Sequence, residues 1–102
     1  MTKEVDMRQT GRTAQQMLDA PQNAIYVWCN DRLEYPRHLA SNLHRYDLRI
    51  VGPSWLEHNG YMGLSFTSVV LDHAFSPRGR QIEGLEYLYI RAKINQSRDQ
   101  LI

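Results

Sequence analysis

The chain has almost no cysteine, no long apolar run and no excess of either charge, and each lack excludes something. Cys29 is the sole cysteine, so no disulfide can form within the chain, which suits a reducing compartment. No apolar run approaches the roughly 20 residues that a membrane helix needs. The opening Met1-Thr2-Lys3-Glu4-Val5-Asp6 lacks the apolar core of a signal peptide. The expectation is a cytoplasmic protein with no membrane association. Twelve Lys and Arg against eleven Asp and Glu leave a formal charge of +1. No strong overall field therefore draws the chain to nucleic acid, although a local basic patch fits that balance. Repeats, low-complexity tracts and linkers are also absent, and 102 residues suffice for one domain rather than two.

What is present reads as alternating helices and strands. Residues 1–10 hold only Val5 and Met7 as apolar groups and are expected to form a mobile N-terminus, leaving residues 11–102 as a single α/β domain. Ala14, Met17 and Leu18 fall at i, i+3 and i+4, which predicts a short helix near residues 12–20 that Pro21 stops. Ala24–Cys29 is rich in β-branched and aromatic residues and predicts a buried strand. Pro36 suits a first helical turn, and the spacing of Leu39, Leu43 and Tyr46 predicts a helix over 36–46 that packs by that stripe. His38 and His44 are expected to be solvated.

A third segment, Leu48–Val51, predicts a short strand broken by Gly52-Pro53, with Ser54 as cap of a single turn. The region 81–96 fits both strand and helix periodicity, and its length favours a helix. Alternating elements predict a parallel sheet in two or three layers joined by crossover helices. Burial is expected to be deepest at Val27, Leu39, Leu43, Val69 and Leu71.

Thr67-Ser68-Val69-Val70-Leu71-Asp72-His73 carries the most chemistry. An apolar run without alternation reads as a strand buried on both faces. Ligands of open α/β sheets sit beyond the carboxyl ends of the strands, where Asp72 and His73 stand. The alternative is that Asp72 only starts a turn and His73 lies on the surface. Gly11 leading into a helix whose first turn holds Arg12 and Thr13 offers a candidate phosphate cradle, since free amides and the helix dipole favour an anion. Thr13 and Asp72 should then share one edge of the sheet.

These segments resemble a known family. Gly11-Arg12-Thr13 resembles the Gly-Lys-Ser/Thr end of a Walker A loop, and Val69-Val70-Leu71-Asp72-His73 resembles a Walker B strand with its acid. Ile50-Val51-Gly52-Pro53-Ser54-Trp55-Leu56 is similar to the segment after the third strand of helicase motor domains. The order, over about residues 8–75, resembles the first RecA-like domain of DEAD-box helicases and small bacteriophage proteins with a Gly-Arg-Thr helix. The resemblance implies a P-loop NTPase-like fold missing its first strand. It implies that Thr13 and Asp72 hold Mg2+, that Arg12 and the Gly11–Thr13 amides hold the phosphates of ATP, and that His73 orients or deprotonates water. The chain departs from that pattern in four places. No anchoring strand precedes the loop, Asp6 falls at its first small position, Arg12 replaces the lysine, and His73 replaces the glutamate. An efficient ATPase is therefore not expected.

Three functions follow. The first is a small phage-type accessory protein that binds a host or replication protein, with Trp55, Tyr61 and Tyr87 as candidate anchors. The second is a nucleotide-binding protein or slow NTPase using Gly11-Arg12-Thr13 and Asp72-His73. The third is a nucleic-acid-binding module using Arg78, Arg80, Arg91 and Lys93, with tyrosines between them for stacking. A homo-oligomer is compatible with a sheet edge left unpaired.

Overall fold

The computed structural model describes residues 2–58 and 64–101, with side chains described for residues 11–58 and 64–95. Helix α1 spans Thr2–Asp19. It leads into strand β1 (Ile25–Val27), helix α2 (Glu34–Asn42), strand β2 (Arg49–Val51), a 3-10 helix (Pro53–Glu57), strand β3 (Val69–Leu71) and helix α3 (Arg80–Leu101). The strands are parallel in the order β2-β1-β3. Ile25 pairs with both Arg49 and Val69, and Val27 with both Val51 and Leu71. Region 81–96 is helical.

The alternation along β1 explains the layers, because successive side chains point to opposite faces. Tyr26 turns to a core shared with Met17, Ala20, Ala40, Leu48 and Ile50, and so is covered by α1 and α2. Ile25 and Val27 turn to a second core with Val51, Leu56, Leu85 and Leu88, covered by the 3-10 helix and α3. The fold has three layers. The β1-to-β2 connection lies on one face and the β2-to-β3 connection on the other. The chain thus winds both ways from β1, and a crevice is expected at the carboxyl ends of β1 and β3.

Several boundaries differ from the sequence reading. The strands are shorter than expected, although backbone bonds such as Trp28 N to Val51 O and Asp72 N to Val27 O extend the ladders past them. Helix α1 begins at Thr2, so residues 2–10 form its first half and Gly11 lies inside the helix rather than at its start. Straight-chain Lys3, Glu4, Met7, Arg8 and Gln9 favour helix by intrinsic propensity. Among the described side chains of α1, Thr13 and Met17 are buried, whereas Leu18 is 51% exposed.

Helix α2 starts at Glu34 and ends at Asn42, and His44 takes a positive φ of 58° just beyond. The helix therefore stops before Tyr46, which is 72% exposed rather than part of the packing stripe. Leu39 and Leu43 are half-buried, as are Val69 and Leu71, because β3 has a neighbour on one side only. Ser54 lies within the 3-10 helix and donates to Asp31 instead of capping it.

Arg45 fastens the end of α1. Its guanidinium donates to the carbonyls of Met17, Leu18 and Pro21, at and just past the helix end. It also pairs with Asp47 through two bonds of 3.0 Å, and Asp47 accepts the Asn23 amide at 2.8 Å. The bonds from Arg45 hold the Asp47 carboxyl well below the usual carboxylate range. A depressed acid contributes stability above its unfolded pKa, and that contribution is lost as pH falls through the lower folded value. Urea unfolding should show wild type more stable than Asp47→Asn at pH 7, with the gap closing below about pH 4.

Two glycines separate this packing from a phosphate loop. A Cβ on Gly84 would run into the backbone carbonyl of Leu56, where α3 crosses the 3-10 helix. A Cβ on Gly11 would meet nothing within 4 Å. Gly11→Ala should stabilise the protein by about 0.5–1 kcal/mol, since glycine in a helix interior is unfavourable. Gly84→Ala should destabilise it by about 1–3 kcal/mol. Thermal melts of the two variants check both signs.

Candidate functional site

The site forms where the carboxyl end of β3 meets the buried face of α1. Asp72 follows β3 directly and is 2% exposed, as is Thr13 on α1. The Thr13 hydroxyl donates to Asp72 Oδ1 at 3.1 Å, a contact between residues 59 apart in the chain. The Tyr26 hydroxyl, rising from the α1 face of β1, donates to the same oxygen at 2.6 Å. The Ala74 amide donates to Oδ2 at 3.0 Å, which makes the turn after the strand. Thr13 and Asp72 thus share an edge of the sheet, as their positions in sequence suggested.

Gln16 completes the arrangement one turn along α1. Its amide nitrogen donates to the Leu71 carbonyl at 3.0 Å, and its oxygen accepts the His73 backbone amide at 2.8 Å. The His73 ring stands with Nε2 at 3.3 Å from Thr13 Oγ1. The single Thr13 hydrogen is committed to Asp72, so this contact requires the tautomer with a proton on Nε2, donating to the hydroxyl oxygen.

The electrostatics follow from burial. Burial, and then the bond to Asp72 and its charge, push the Tyr26 phenol far above its usual range, so Tyr26 serves as a neutral donor. Burial, and then the charge of Asp72, also raise the Cys29 thiol. A raised thiol is a poor nucleophile at neutral pH.

The expected phosphate cradle is not what the backbone forms. Gly11, Arg12 and Thr13 lie inside α1, so their amides belong to the helix instead of a free helix start. Arg12 is exposed. A Walker-type magnesium ion usually takes only one or two protein ligands beside water and phosphate. Thr13 and Asp72 are chemically suited to that role and lie in contact. Both are also turned inward and bonded to each other, and Asp72 receives three protein donors. No group of three His, Cys, Asp or Glu side chains among the described residues is arranged to hold a metal.

The other candidates fall elsewhere. Arg78 precedes α3 and Arg80 opens it, with Arg91 and Lys93 about 17–20 Å beyond Arg80 at 1.5 Å rise per residue. Residues two apart on a helix do not face the same way, so Arg91 and Lys93 point apart. Exposed Glu83 and Glu86 lie between the two pairs. His38 and His44 are exposed, as expected. Trp55 is half-buried and Tyr87 lies on α3, whereas Tyr61 is outside the described residues. Sequence reasoning missed Tyr26 and Gln16. Tyr26 sits in an apolar strand and reads as core, but Gln16, three residues after Thr13, was visible as its helical neighbour.

Losing the Asp72 carboxyl would take the shared acceptor from the Thr13 and Tyr26 hydroxyls and leave Tyr26 only Gln16 Oε1, at 3.5 Å. Asp72→Ala should therefore destabilise the protein by about 3 kcal/mol or more, and Tyr26→Phe by about 1–2 kcal/mol. Urea titrations at pH 7 measure both. Comparison of the chain with protein-family models, with curated proteins and with solved structures finds no match.

Proposed function

We propose that the protein is a non-catalytic accessory protein that binds another protein, with a host or replication protein as the partner that the phage-type resemblance implies. The observation that carries this reading is the surface of helix α3. Five of the eight large hydrophobic residues exposed among the described residues lie on it: Ile82, Tyr87, Tyr89, Ile90 and Ile94. Leu85, Leu88 and Ala92 already bury its core face. Tyr87, Ile90 and Ile94 recur at i, i+3 and i+7 and so form a second stripe on another face. Apolar surface gathered on one element marks interaction sites more often than apolar residues scattered singly. A second copy of the chain is another occupant of the same stripe, and sedimentation distinguishes it.

The nucleotide reading is second. It is favoured by the contact of Thr13, Asp72 and His73, the groups that the Walker resemblance assigns to metal and water. It is weakened by the helical Gly11–Thr13 backbone and by the three donors on Asp72.

The two readings separate in one experiment. Thermal shift and tryptophan fluorescence with MgATP should show no response, and hydrolysis should stay far below about 1 s⁻¹, the lower end of ordinary enzymes. Partner capture should be lost in an Ile90→Asp, Ile94→Asp variant and kept in Tyr26→Phe. Turnover above about 1 s⁻¹ that Asp72→Asn abolishes would overturn the proposal in favour of the second reading.

A further inference from the structure

A different surface carries a basic character that neither reading uses. At the amino ends of β1 and β2, a cavity of about 480 Å3 is lined by Arg37, Arg45, Tyr46, Asp47 and Arg49 among others. The charges in it are not equivalent. Arg45 and Asp47 neutralise each other, and Arg45 is fully engaged with the end of α1. Arg37 and Arg49 are exposed, and no carboxylate or carbonyl among the described residues accepts from either guanidinium. The cavity therefore presents two uncompensated positive charges and no uncompensated negative one.

Tyr46 stands at its rim, 72% exposed, with its ring centroid 6.0 Å from that of His44. His44 takes a positive φ just past the end of α2, and its Nδ1 lies 3.3 Å from the Tyr46 hydroxyl. Arg37 also lines a neighbouring cavity of about 650 Å3 with Arg32 and Tyr35, the latter 47% exposed. Asp31 and Glu34 balance Arg32 and Arg37 there, so that cavity carries no net charge. Net positive charge therefore belongs to the cavity that also holds Arg49.

We propose that the cavity lined by Arg37, Tyr46 and Arg49 binds single-stranded nucleic acid, with the two arginines on phosphates and Tyr46 stacked on a base. Two features select this ligand class. Two guanidiniums that no carboxylate pairs suit phosphate, whose oxygens fit the guanidinium fork. An exposed aromatic ring lining the same cavity provides a platform that any unpaired base can use. The chain's overall charge of +1 makes the interaction weak and without sequence preference. The site is separate from the Arg78, Arg80, Arg91 and Lys93 set on α3 and from the apolar stripe of that helix, so it stands or falls independently of the proposed protein partner.

Fluorescence anisotropy of a labelled oligothymidylate, titrated with the full chain at several salt concentrations, tests it. Binding should appear at low salt, with a slope of log K against log salt of about −1.4, at about 0.7 per phosphate contacted. Arg37→Glu and Arg49→Glu should each abolish detectable binding. Tyr46→Ala should weaken it about tenfold, as loss of one base stack does. All three positions are exposed, and circular dichroism and melting curves confirm that the variants fold. Arg78→Glu with Arg80→Glu should leave the affinity within a factor of about two of wild type. A duplex of the same length should bind more weakly, since its bases are not free to stack. Three results would overturn the proposal: no binding at low salt, loss of binding only in the α3 variant, or displacement by inorganic phosphate with no effect of Tyr46→Ala. The last would mean a simple anion site.

Discussion

The side chain of Asp72 ties the molecule together. It receives hydroxyls from α1 and β1 and an amide from its own turn, at 3.1, 2.6 and 3.0 Å. Without it, the Thr13 and Tyr26 hydroxyls would lose the acceptor that they share. A buried polar group is tolerated only when its bonds are made, and here each member supplies what another lacks. Gln16 adds a second tie between α1 and the end of β3, through the Leu71 carbonyl and the His73 amide. Directly after Gln16, Arg45 donates to the carbonyls of Met17, Leu18 and Pro21. The second half of α1 is thus held by polar groups as well as by the apolar packing of Met17.

That tie bears directly on function. Residues of the types a nucleotide site would use are present and adjacent, but they bond to one another. Catalysis of phosphoryl transfer depends on an open cradle, a compact cation and a positioned water. A carboxylate that already receives three protein donors, beside helical amides, is built for holding α1 in place. On the proposed reading, function falls to the second stripe of α3 and to the cavity lined by Arg37 and Arg49. An accessory protein that touches a protein through one and a single strand through the other is consistent with both surfaces.

Much of the architecture was legible in the sequence. Three apolar, β-branched segments separated by helix-length stretches allow few arrangements other than a parallel sheet, and the edge argument placed Thr13 near Asp72. What was not legible came from competing local signals. Thr10-Gly11 reads as a helix start, because glycine punctuates chains more often than it sits within helices. Only the continuation of α1 back to Thr2 overrides that signal. The stripe of Leu39, Leu43 and Tyr46 fails at its last member because His44 adopts a left-handed backbone, which histidine accepts less readily than asparagine or glycine and which no pattern announces. Tyr26 was hidden by its neighbours Ile25 and Val27, whose apolar character disguises a hydroxyl aimed at a carboxylate.

The most direct test of the central claim is a double-mutant cycle on the Thr13–Asp72 contact, using Thr13→Val, Asp72→Asn and both together, with unfolding free energies from urea titration. The two side chains share a bond in a buried site, so a coupling energy of at least about 1 kcal/mol is expected. Additivity within about 0.3 kcal/mol would mean that the contact does not hold α1 to the sheet, and it would contradict the account.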